Sequence, residues 1–164
     1  MWKSIELAEA GWYSYSDIRK GVNMNRLYDD MISTADSFAV NFSDRGTFDY
    51  SFDSLMLAEE LLDEMADYIF EDDEAVYNAS TMIGAYVFET VRRNLGGEYV
   101  WLQKEEQPLL VIGLPDFSVS IKAWEKVKGR IINGSEDNIP FYVDGVIQCV
   151  EKGKMQKGYA ATVV

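Results

Sequence analysis

Between Met24 and Leu95 the apolar residues recur every three or four positions, and beyond Leu95 the period changes. Leu27, Met31, Ala35, Phe38 and Ala39 share one face, with Asp29, Asp30, Asp36 and Ser37 between them, which predicts a helix over Met24–Phe42. Asp44, Arg45 and Gly46 break it, with Gly46 as the stop. Thr47–Tyr50 alternates over its length and reads as one short strand. Ser51 then offers a hydroxyl to the free amides of the next helix, and Asp53 brings charge that suits its positive end.

That next helix, Phe52–Phe70, has the apolar stripe Leu55, Ala58, Leu61, Leu62, Met65 and Ile69. Its other face carries Glu59, Glu60, Asp63, Glu64 and Asp67. Glu71–Glu74 forms a boundary whose charges favour a third helix, Glu74–Leu95. Val76, Ala79, Ile83, Val87 and Val91 form one stripe there, with Met82, Tyr86, Glu89 and Arg93 beside it. Apolar residues on more than one face mark it as the most buried helix. Gly84 admits a close neighbour, and Gly96 and Gly97 give a cap and a sharp exit.

Strand patterns follow in Glu98–Leu102 and Pro108–Gly113, joined by the polar turn Gln103–Gln107. Val119–Ile132 reads as a helix with Ile121, Trp124, Val127 and Ile131 inward. Asn138 opens another short helix that Lys152, Gly153 and Lys154 end, and Gly158–Val164 suits a last strand. Ahead of all this, Ile5–Trp12 reads as a short helix. Helices first and strands later predict one α+β domain over residues 1–164, its N-terminal helices packed on a small antiparallel sheet from the C-terminal half.

Charge changes the picture more than composition does. The 164 residues are 48% hydrophobic, enough for one core, and carry 28 acidic against 15 basic side chains, a formal charge of −13. From Asp29 to Glu74 there are 15 acidic residues and one basic, Arg45, whereas Val91–Val164 holds 9 acidic and 10 basic. Such a surface repels phosphate backbones and anionic membranes, so neither nucleic acid nor membrane is an expected partner. A one-signed field steers a basic protein toward it, and it equally serves plain solubility. The start MWKSIELAEAGW lacks a signal-peptide core, and no run reaches about 18 apolar residues, so a cytoplasmic location is expected.

The chain has no histidine and one cysteine. That removes the serine–histidine triad, imidazole bases, thiolate clusters and most zinc sites. No phosphate-loop or dinucleotide fingerprint is present, and Gly96-Gly97 is not one. Cys149, flanked by Gln148 and Val150, reads as a half-buried structural thiol. The helix-spaced pairs Glu60/Glu64 and Asp63/Asp67 have a spacing at which carboxylates share a cation, but they lie on the polar face and read as solvated. No metal or cofactor is expected.

Glu89 is the candidate chemical residue. A carboxylate in an apolar helix must find a partner or take up a proton, and Arg92 and Arg93, three and four positions on, are in reach. Tyr86, Arg92 and Trp101, with Tyr99, complete a possible binding pocket around it. A structural ion pair is the competing reading.

The stretch GAYVFETVRRNLGGEYVW resembles small uncharacterised bacterial α+β proteins with a G-A-Y-x-x-E-x-[IV]-R-x-x-L-G-G helix end followed by an aromatic strand. FDYSFDSLMLAEELLDEM and NGSEDNIPFY extend the resemblance, which covers Thr47–Tyr142. Gly84, Tyr86, Glu89, Arg92, Gly96 and Gly97 are the matching positions. Some such proteins resemble immunity or accessory proteins beside toxin genes. The resemblance implies a fold more than an activity. The acidic stretch from Asp29 to Glu74, together with the missing catalytic equipment, is what motivates a binding protein, an immunity-type inhibitor of a basic partner, with Glu59, Glu60, Asp63, Glu64 and Asp67 as its acidic partner face. Open alternatives are a small-molecule binder or enzyme using the Glu89 pocket, and an assembly role for Trp2, Trp12 and Tyr13.

Overall fold

A computed structural model describes residues 23–164. Its elements are α1 (Met24–Asn41), α2 (Leu55–Ile69), α3 (Asp73–Leu95), β1 (Glu98–Leu102), β2 (Gln107–Ile112), β3 (Ser118–Ile121), α4 (Ala123–Asn133), α5 (Ile139–Met155) and β4 (Ala160–Val163). The expected Ile5–Trp12 helix and the aromatics Trp2, Trp12 and Tyr13 lie outside the described residues. The fold is α+β, helices first and a small sheet in the C-terminal half. Among the described residues no helix is long and apolar enough to cross a membrane.

The helices form where their stripes find each other. α1 is capped by Asn23, whose side chain accepts from the Arg26 amide, and buries Leu27, Met31, Ala35 and Phe38. α2 buries Leu55, Ala58, Leu61 and Leu62. Ahead of it the Ser51 hydroxyl accepts from the Ser54 amide, as its position suggests. α3 is capped by Asp72, which takes the Glu74 and Ala75 amides, and it buries twelve residues, which makes it the spine of the core. Arg92 and Arg93 close its negative end and Gly96 follows at φ +77°, a region that glycine enters freely.

Three expectations are corrected. The sheet, in order β1-β2-β3-β4, is mixed rather than antiparallel: β1 and β2 pair antiparallel with Val100 opposite Leu109, β2 and β3 antiparallel with Val111 opposite Ser120, but β3 and β4 run parallel with Val119 opposite Ala161. Parallel pairing requires a long crossover, and α4 and α5 supply it. The helix expected from Val119 therefore starts only at Ala123. Ser118-Val119-Ser120-Ile121 alternates with period two and enters the sheet, with Lys122 alone separating strand from helix. Thr47–Tyr50 forms no strand, since side chains rather than a ladder bind its backbone: the Tyr50 amide donates to the Tyr86 hydroxyl (3.1 Å), and Asn94 Nδ2 donates to the Tyr50 carbonyl (2.8 Å).

The last helix is longer than the sequence suggests, because Gly153 does not stop it. Gly153 is buried inside α5, and a Cβ there would lie 2.3 Å from the Phe117 ring. It is a packing glycine.

The sheet separates two apolar groups. Tyr99, Leu110, Ile112, Val119 and Ile121 face the helices and join Phe38, Ile83, Tyr86 and Phe88 in the main core. Val100, Leu102, Leu109 and Val111 form a second buried group on the opposite face, with Leu114 against it. Where α3 crosses α4, a Cβ on Gly84 would stand 2.7 Å from Trp124 Cδ1 and 3.1 Å from its Cα. Because backbone cannot yield as a side-chain tip does, Gly84→Ala is expected to cost about 1–3 kcal/mol in urea unfolding, despite alanine's better helix propensity.

Candidate functional site

The residues singled out around Glu89 fall into two groups in space. Glu89 is fully buried on α3, and both its oxygens are occupied. Arg92 donates from Nε to Oε1 (2.7 Å) and from Nη2 to Oε2 (2.9 Å), and Arg93 Nε donates to Oε2 (3.0 Å). The Tyr99 hydroxyl, delivered by β1, donates to Oε1 (2.8 Å). Burial alone would raise the Glu89 carboxyl, but these donors outweigh it and hold the group below the ordinary glutamate range. Burial, reinforced by the Glu89 charge, pushes the Tyr99 hydroxyl well above its ordinary value, so it stays a donor.

The cluster extends outward to α1. Arg93 also reaches Asp36 (3.3 Å), and its guanidinium lies 3.6 Å over the Tyr50 ring, whose hydroxyl donates to Asp36. Tyr28 accepts the Tyr99 amide (3.0 Å) and packs edge-on to the Tyr99 ring at 5.0 Å. Tyr86 connects from the other side. Its ring sits among Phe38, Phe48 and Tyr50 at 5.1, 5.3 and 4.9 Å, and its hydroxyl meets Ser54 Oγ at 2.6 Å. Tyr86, Glu89 and Arg92 thus belong to a clamp joining α1, α3 and β1, buried at Tyr86 and Glu89 and partly open to solvent at Arg92. Trp101 does not: it stands edge-on to Trp124 of α4 at 6.2 Å. The pocket expected around Glu89 is filled by its own partners.

The acidic face also divides. Glu60, Asp63, Glu64 and Asp67 are exposed on α2, and Arg45 pairs with Glu64 at 2.6 Å. Glu59 is corrected: it is buried, taking Arg130 Nε on Oε1 (2.6 Å) and the Ile139 amide on Oε2 (3.0 Å). The reason lies in its position. Glu59 is four residues after Leu55 and three before Leu62, both buried, so it sits on the stripe rather than opposite it. Arg130 bridges on to Asp63 at 2.8 Å.

An open groove among the described residues is a concavity that the sequence did not reveal. It encloses about 690 Å³ between the end of α2, the first half of α3, the β1–β2 turn and the outer side of α4. Phe70, Tyr77, Trp124 and Ile132 give it apolar walls, with the Tyr77 and Trp124 rings edge-on at 6.4 Å. Asp73, Glu105, Glu106 and Glu125 stand around it, with Lys128 as the one lining cation among the described residues. Glu105 accepts from Lys122 (2.7 Å) and from Gln107 (2.8 Å), and Gln107 also donates to Glu125 (3.1 Å). Tyr77 is the signal available in the sequence: a tyrosine next to Val76 cannot share its buried stripe.

Among the described residues no three histidine, cysteine, aspartate or glutamate side chains converge as a metal cluster does. No protein-family model, curated protein or solved structure matches this chain.

Proposed function

We propose that this chain is an acidic protein-binding module that acts by contact with a basic partner protein, in the manner of an immunity-type inhibitor. The observation that carries the reading is where the acids stand. Of the 15 between Asp29 and Glu74, every one except Glu59 is exposed. Acids held at the surface of packed helices form a fixed field, which accelerates encounter with a cationic surface. Large apolar side chains lie within that field: Met56, Tyr68, Phe70 and Tyr77 are all exposed. Aromatic residues amid charge are the composition of a contact surface, where they supply affinity and the charges supply rate. The competing enzyme reading is disfavoured because Glu89 offers a substrate no free oxygen.

Reversing Glu60, Asp67 and Glu71 to lysine tests it. All three are exposed and none has an ion-pair partner among the described residues, so the fold should persist. The expected result is that a basic partner, captured from the native host and identified by cross-links to these carboxylates, associates at least about tenfold more slowly with the variant. Raising salt from about 0.05 to about 0.5 M should slow the unaltered protein similarly. Capture of no basic protein, or an association rate indifferent to salt, refutes the proposal.

A further inference from the structure

We infer that the groove between α3, α4 and the β1–β2 turn seats a short basic segment of the partner protein, with an apolar side chain of that segment against Tyr77 and Trp124. The inference rests on the basic-partner reading and gives it a place. Phe70, just past the end of α2, Tyr77 on α3 and Ile132 on α4 are each more than half exposed, at 52%, 61% and 53%. They nevertheless converge on one concavity, where Trp124 forms part of the wall. A scattered exposed apolar residue requires no explanation, but three large ones aimed into a single hollow do.

Charge selects the occupant. Among the described residues four carboxylates and one lysine line the groove, and with Lys122, which pairs with Glu105 and Glu125 at its edge, the carboxylates still outnumber the cations four to two. Glu105 and Glu125 already engage Lys122 or Gln107, whereas Asp73 and Glu106 pair with no cation among the described residues. A phosphate-bearing or carboxylate-rich ligand is repelled from such a rim, and so is a second copy of a chain carrying −13. A segment with arginine or lysine on either side of an apolar residue matches both features: its cations meet Asp73 and Glu106, and its apolar group covers Tyr77, Trp124 and Ile132.

Size agrees with a segment of this kind. The groove follows α4 from Trp124 to Asn133, about 14 Å at 1.5 Å per residue. An extended chain covers that length with about four residues. Phe70 places the groove directly after α2, so the acids of α2 draw a cationic partner in and the groove holds it. Encounter rate and residence time are thereby assigned to different residues.

The test uses a pooled set of synthetic hexapeptides, each with three arginines or lysines and one leucine or phenylalanine. A control pool carries the same cations without the apolar residue. With the full-length ¹⁵N-labelled protein, the first pool should shift the Trp124 indole and Gly129 amide signals saturably, with Kd below about 1 mM, and the control pool should not. The exposed double variant Tyr77→Ala/Ile132→Ser should weaken that binding at least about tenfold. Glu106→Lys, on the exposed turn, should do so without touching the apolar wall. Shifts confined to the outer face of α2, with Trp124 and Gly129 unmoved, overturn the groove assignment and leave the basic-partner reading standing. No saturable shift from any peptide also overturns the groove assignment, whereas that reading fails only in the salt and charge-reversal experiment.

Discussion

Replacing Glu89 with alanine is expected to destabilise the protein by about 3–5 kcal/mol in urea unfolding, because it strands two guanidinium groups and a tyrosine hydroxyl that all point at the missing carboxylate. Exposure decides where in that range the value falls. The Arg92 and Arg93 side chains are 25% and 35% exposed, so both can recover some hydration once released. The Tyr99 hydroxyl is buried and cannot. The lower end is therefore expected, with the unsatisfied hydroxyl alone accounting for about 1–3 kcal/mol. Glu89→Gln keeps the shape and one acceptor oxygen, and should lie between the alanine variant and the unaltered protein.

The sign of the accompanying pH dependence follows from the same contacts. The folded-state carboxyl is depressed, so between its folded and unfolded values the unfolded chain binds more protons. The stability Glu89 contributes is present above the ordinary glutamate range and is lost as pH falls through the depressed folded value. The gap between the unaltered protein and Glu89→Gln should therefore be wide at pH 7 and shrink by about pH 3. Unfolding curves for the two proteins that stay equally far apart across that span would show that the carboxylate is not held in its charged form by these donors.

How much of this was legible depended on distance along the chain. Arg92 and Arg93 are one helical turn from Glu89, and helical spacing alone brings them together. Gly84 in an apolar helix likewise signals a close crossing before the crossing residue, Trp124, is known. Tyr99 is ten residues from Glu89, and only the reversal at Gly96-Gly97 returns it there. Beyond that range the pattern fails. Val119–Ile121 reads as the first turn of a helix, because Ile121 falls in phase with Trp124 and Val127. It pairs with β2 on one side, and its parallel partner on the other, Ala160–Val163, lies about forty residues later. The groove was invisible for the same reason: Phe70, Tyr77 and Ile132 are each an unremarkable off-stripe residue until three helices bring them together.

Glu59 and Arg130, 71 residues apart, lie far beyond that limit and give the sharpest energetic test. Their side chains are 10% and 3% exposed, so neither can find water if its partner is lost. Arg130→Met leaves a buried carboxylate with only the Ile139 amide, and should cost about 3–5 kcal/mol. Glu59→Leu should cost less, because Arg130 keeps Asp63, which is open to solvent. The double variant Glu59→Leu/Arg130→Met places two apolar side chains where a desolvated pair stood, an exchange that is often neutral. What it still loses is the acceptor for the Ile139 amide at the start of α5, worth about 1–2 kcal/mol. The double variant is therefore expected to be more stable than Arg130→Met alone, with a coupling energy of at least about 2 kcal/mol from a double-mutant cycle. Additive losses would mean that the two side chains act independently, and that the clasp of α2 onto α4 and α5 is made by the surrounding apolar contacts instead.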